Sequence, residues 1–66
     1  MKNRIRIERA EKDITQQQLA EAVGVSRQTI VAIEKGHFLP STPLAMKICR
    51  YFGKPVETVF ILEDED

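Results

Sequence analysis

Thr15-Gln16-Gln17-Gln18-Leu19-Ala20-Glu21-Ala22-Val23-Gly24-Val25-Ser26-Arg27-Gln28-Thr29-Ile30-Val31-Ala32-Ile33-Glu34-Lys35-Gly36 contains two helix starts, two glycine stops and one short turn. Thr15 with Gln18 three residues later is a capping box, in which each residue satisfies an otherwise unpaired amide of the other. Leu19, Ala20 and Val23 then recur at helical spacing on one face, and Gly24 can adopt the left-handed conformation that ends a helix. Val25 crosses the turn. Ser26 caps the next helix, whose inward face is Ile30 and Ile33 with Thr29 and Glu34 beside them, and Gly36 ends it. Ala20 sits where a larger side chain would push the two helices apart. A small residue at the crossing, a glycine turn, a following cap and a polar outward face together exceed what an ordinary helical hairpin requires.

Working outward, Asn3 is placed to cap a first helix running to about Lys12. After the loop His37-Phe38-Leu39-Pro40, Ser41 or Thr42 caps a fourth helix with Pro43 in its first turn, where a missing N–H costs nothing. Leu44, Ile48, Tyr51 and Phe52 form its expected core stripe, and Gly53 closes it. Pro55 opens a short fifth helix with Val56, Val59 and Phe60 inward. No period-two run is long enough for a sheet, although Val59-Phe60-Ile61-Leu62 has room for one short strand. The expected class is all-α with five helices.

Sixty-six residues hold one domain, 1–66, with an acidic tail at 63–66. A chain this short buries a small fraction of its surface and is marginally stable, so a dimer interface would help it. The one cysteine, Cys49, cannot form an intrachain disulfide, and without a Cys/His cluster no structural metal or other cofactor is expected. No apolar stretch approaches the roughly 20 residues of a membrane span. Met1-Lys2-Asn3-Arg4-Ile5-Arg6 lacks the apolar core of a signal peptide, so the expected location is the cytoplasm, with no membrane partner. The net charge is zero, but Glu63-Asp64-Glu65-Asp66 holds four of the ten acidic residues. The body therefore carries ten basic against six acidic residues, about +4, a mild bias toward a polyanionic partner. One histidine, one cysteine and no phosphate-cradling glycine loop leave no constellation for an enzyme, and no small-molecule ligand is evident.

The chain resembles the Cro/C1-type, or XRE-type, helix-turn-helix regulators, and among them the short stand-alone members. The resemblance covers essentially the whole chain. It rests on Ile14-Thr15-Gln16, Leu19-Ala20, Val23-Gly24-Val25-Ser26-Arg27-Gln28-Thr29-Ile30, Ile33-Glu34-Lys35-Gly36, Pro40-Ser41, Leu44-Ala45-Met46-Lys47-Ile48 and Phe60. It implies a five-helix lambda-repressor-like domain, and a sequence-specific regulator, a repressor by expectation, that binds double-stranded DNA. The third helix would enter the major groove N-terminal end first, which places Arg27 and Gln28 against base edges. Their chemistry agrees, because arginine can donate twice to guanine and glutamine can pair with adenine. Val31 and Ala32 on the same face offer only apolar contact, for example to a thymine methyl, where many family members carry a polar side chain.

Phosphate positioning would come from Gln16, Ser26, Thr29, Lys35, His37 and the backbone amides near Ser41. The family also pairs an arginine at the place of Arg9 with a glutamate at the place of Glu34. A competing class, an antitoxin or other protein-interaction module, would use the same fold but needs a contiguous apolar patch where residues 26 to 32 present Ser26, Arg27, Gln28 and Thr29. Cys49 reads as a small apolar residue at the edge of the core rather than a redox switch. Ile61 and Leu62 would stand exposed in a monomer. A symmetric homodimer hiding them, with Val59 or Met46 nearby, on a pseudo-palindromic operator is expected, with the acidic tail disordered or turned away from phosphate.

Overall fold

In the computed structural model, which describes all 66 residues, five helices are closed by a two-stranded ribbon. The elements are β1 (Lys2–Asn3), α1 (Ile5–Lys12), α2 (Gln16–Val23), α3 (Arg27–Glu34), α4 (Thr42–Phe52), α5 (Val56–Val59) and β2 (Phe60–Ile61). Local hydrogen bonds set most helix starts. The Thr15 hydroxyl accepts from the Gln18 amide at 3.0 Å while the Gln18 side chain accepts from the Thr15 amide at 2.8 Å, so both halves of the capping box are made. The Ser26 hydroxyl accepts from Thr29 N at 3.2 Å and the Ser41 hydroxyl from Leu44 N at 3.3 Å. The start of α1 differs from the expectation: Arg4 occupies the cap position, and Asn3 lies one residue earlier.

Asn3 serves the same end from there and does more. Its Oδ1 accepts from Ile5 N at 3.2 Å, and its Nδ2 donates to the Ile33 carbonyl at 2.8 Å, near the end of α3. Between α2 and α3, Gly24 takes φ +78, a left-handed value that L side chains rarely adopt, and this reversal lets α3 pack back across α2. Asp13 ends α1 in the same conformation at φ +56.

Ile5, Leu19, Ala20, Val23, Ile30, Ile33, Ile48, Cys49, Phe52, Val59 and Phe60 form a single core. Three residues expected there lie outside it, of which Leu44 is half-buried and packs against its edge. Tyr51 is 37% exposed, because the buried stripe of α4 runs through Ile48, Cys49 and Phe52. Its ring instead stands edge-on to Phe52, with centroids 5.7 Å apart, and lies beneath the Lys12 ammonium. Val56 is half exposed, because α5 is one turn long and turns only its Val59 end inward. Conversely Ile5 is fully buried, and so is Glu8, whose carboxylate meets Lys54 Nζ at 3.2 Å.

The short strand within residues 59–62 forms, and its partner is the chain's own N-terminus. β1 and β2 run antiparallel with Lys2 opposite Ile61 and Asn3 opposite Phe60, and Arg4 N donates to Val59 O at 2.8 Å. The acidic tail is neither disordered nor free: Asp66 and Glu63 approach the Met1 ammonium at 3.1 and 3.5 Å, and Glu63 N donates to Asp66 Oδ2 at 2.8 Å. The Asp66 hydrogen bond raises the pKa of the ammonium above 8.0, and the Glu63 N–H, followed by the ammonium, lowers that of Asp66 below 3.8. The contact therefore stabilises the fold between those values and fades as pH rises past the first or falls past the second. No helix is long and apolar enough to cross a membrane.

Candidate nucleic-acid interface

α3 presents its first turn to solvent. Arg27 and Gln28 hold its first two positions, both are exposed, and neither side chain is engaged by another residue. Four donor nitrogens in two planar groups are thus displayed at a helix N-terminus, the end that favours negative charge. Behind them the Ser26 and Thr29 hydroxyls bond each other at 3.0 Å, which fixes both rotamers. Val31 and Ala32 are half-buried, so they offer part of their apolar surface one turn further along.

The far end of α3 is fastened to α1 and α2. Arg9 Nε donates to Glu34 Oε2 at 2.7 Å and Nη2 to Oε1 at 3.1 Å, a bidentate pair, while Nη1 donates to the Ile14 carbonyl at 3.1 Å. The two side chains are 15% and 8% exposed. Gln16 Nε2 donates to Glu34 Oε1 at 3.3 Å, so the first residue of α2 joins the same cluster. The angle between α3 and the body is therefore set at both ends, by the Gly24 turn and by this ion pair.

Gln16, Val31 and Lys35 come together around one open depression of about 340 Å³. Lys35 and His37 are exposed and make no side-chain contact that would hold them elsewhere. Ser41 is exposed too, with its hydroxyl accepting the α4 cap bond. One role of Asn3 went unnoticed in the sequence, and Arg6 was not singled out. Asn3 ties the N-terminal ribbon to α3, a contact 30 residues apart that no local pattern reveals. Arg6, at the rim of the Gln16–Lys35 depression, was legible, since it lies three residues before Arg9 and so on the same side of α1.

Of the residues expected at a dimer interface, Met46, Ile61 and Leu62 are 58%, 40% and 78% exposed. Val59 is 0% exposed, so its side chain belongs wholly to the protomer's own core and is closed to a partner. Met46 and Leu62 instead share an apolar depression of about 400 Å³ with Pro40, Ala45, Val56 and Phe60. No group of three or more His, Cys, Asp or Glu residues is placed to hold a metal ion.

Comparison with known proteins gives this geometry a family. A helix-turn-helix family model matches residues 5–59, the span from the start of α1 to the end of α5. An HTH-type transcriptional regulator of Methanocaldococcus jannaschii is 52% identical over 66 residues, covering all of both chains. The HTH-type transcriptional regulator YgzD of Bacillus subtilis is 50% identical, again over the full length of both. The cryptic phage CTXphi transcriptional repressor RstR of Vibrio cholerae is 33% identical over 54 residues, covering 82% of this chain and 49% of RstR. This chain belongs to the Cro/C1-type helix-turn-helix family of DNA-binding transcriptional regulators.

Proposed function

We propose that this protein is a sequence-specific repressor that binds a pseudo-palindromic operator as a homodimer, with α3 of each copy in the major groove. The observation that carries the reading is the pair Arg27 and Gln28, exposed and unpartnered on the first turn of a helix whose two ends are fastened. Arginine and glutamine there match guanine and adenine edges in the major groove. Gln16, Ser26, Thr29, Lys35, His37 and the amides near Ser41 position the phosphates around them. Repression is supported by the likeness to RstR, itself a transcriptional repressor. The working compartment is the reducing cytoplasm, in which the free thiol of Cys49 is at home.

Selection of bound duplexes from a random pool supplies the site, and Arg27→Ala then tests how it is read. Affinity for the selected duplex should fall by about 1–3 kcal/mol, roughly ten- to a hundredfold, with a much smaller loss on random duplex. Equal losses on both would reduce Arg27 to a phosphate contact and remove the basis for sequence reading by α3.

A further inference from the structure

The depression of about 340 Å³ beside α3 is lined by Arg6, Arg9, Gln16, Val31, Glu34 and Lys35, three cations and one anion. The cations are not equivalent. Arg9 has all three guanidinium nitrogens engaged, two by Glu34 and one by the Ile14 carbonyl. Arg6 and Lys35 are exposed and lie within ion-pair distance of no carboxylate, so the rim keeps two uncompensated positive charges. Because Arg9 is fixed to the end of α3, the α1 backbone that carries Arg6, one turn earlier, is held beside that helix. Val31 lies four residues after Arg27 and therefore on the same face of α3. Its presence in the wall places the depression alongside the base-reading surface.

We propose that Arg6 is a DNA-positioning residue of α1, whose guanidinium grips a backbone phosphate bordering the groove that α3 enters. Lys35 closes on the same stretch of backbone from the opposite rim. Gln16, with one amide hydrogen on Glu34, has its second available to the same phosphate. The Arg9–Glu34 pair is the floor: it cancels the one negative charge that would oppose the phosphate and sets the distance between the two rims. A planar guanidinium suits a phosphate because it can donate two parallel hydrogen bonds, and each phosphate neutralised releases condensed counterions. This assignment rests on the proposal that α3 occupies the major groove.

Binding of wild type, Arg6→Gln, Arg6→Lys and Arg50→Gln to a pool-selected duplex and to a random-sequence duplex, across a range of salt concentrations, tests it. Arg50 is an exposed cation in a groove formed by α4 and the other end of α2, and serves as the control. For Arg6→Gln the slope of log affinity against log salt should become shallower by about 0.9 per bound copy, so that a fourfold rise in salt costs wild type about three- to fourfold more affinity than the variant for each bound copy, or about twelvefold for a bound dimer. The loss at low salt should be the same on both duplexes, Arg6→Lys should keep the wild-type slope, and Arg50→Gln should match wild type. An unchanged slope for Arg6→Gln, or a loss confined to the selected duplex, overturns the assignment while leaving groove reading by α3 intact. Failure of the wild type to bind either duplex would overturn that underlying proposal and this one with it.

Discussion

Glu34 is the residue that fastens the far end of α3, since its two oxygens receive Arg9 bidentately and Gln16 in addition. At 8% side-chain exposure it has little water to replace a lost partner. Arg9→Ala should therefore destabilise the protein by about 3 kcal/mol, most of it the cost of leaving a shielded carboxylate unpaired, whereas the double variant Arg9→Ala, Glu34→Ala should recover part of the loss. Urea unfolding of wild type, Arg9→Ala and the double variant measures both quantities, and a single-variant cost under about 1 kcal/mol would class the pair with ordinary surface bridges. Cys49 makes the opposite case, a reactive group kept inert by its surroundings. Burial raises its thiol pKa above 9.0, so the neutral form persists in the folded chain at pH values where the unfolded chain ionises. Its folded pKa being the higher one, stability is unaffected below 9.0 and declines as pH rises from there through the folded value. At pH 8 a thiol reagent should modify native protein far more slowly than urea-unfolded protein, and equal rates would contradict the burial.

Among the elements, those built from neighbours in sequence were readable and those built from distant ones were not. The Thr15–Gln18 capping box, the Gly24 turn, the Ser26 and Ser41 caps and Pro43 all act within four residues, so residue type and spacing suffice to place them. The exposed placement of Arg27 and Gln28 at the start of α3 was legible for the same reason, being fixed by the Ser26 cap that precedes them. β1 could not be anticipated, because two residues carry no periodicity and their partners lie about 58 positions away at Phe60 and Ile61. Ile5 enters the core only because that ribbon holds the start of α1 in place, and Tyr51 leaves it because three other α4 residues already fill the seam. The ribbon matters to the site through Asn3, which joins it to the Ile33 carbonyl. Asn3→Ala should cost about 1–3 kcal/mol, since it leaves the Ile5 amide without its acceptor and takes the second donor from the Ile33 carbonyl, which keeps only the Gly36 N–H at 2.9 Å. Hydrogen exchange should show the extra opening concentrated at α1 and the end of α3, and a loss spread evenly over the chain would place the function of Asn3 elsewhere.

At the scale of the whole molecule, reach becomes the constraint. The protein measures 31 Å along its longest axis, less than the 34–36 Å between successive major-groove faces of one side of the duplex, so one copy can place α3 in a single groove. Two copies are needed to read a palindrome. The surface that would join them is already apolar: Leu62 is 78% exposed and Met46 58%, beside Val56 and the edge of Phe60 around a depression of about 400 Å³. Each such side chain fully removed from water contributes about 1.5–3 kcal/mol, a large share of what a 66-residue core can supply. Ile61 is pinned by its pairing with Lys2 and only 40% exposed, and Val59 is fully internal, so Leu62 and Met46 are the better places to break the contact. A charge at Leu62 should leave the monomer folded, because that side chain has few contacts within its own chain. We therefore expect sedimentation to show a dimer at micromolar concentration, Leu62→Asp to shift it to monomer with an unchanged helical spectrum, and the same variant to lose affinity for a two-half-site duplex far more than for a single half-site. A monomeric wild type that still bound the two half-sites together would show that DNA, and not this apolar face, brings the copies into register.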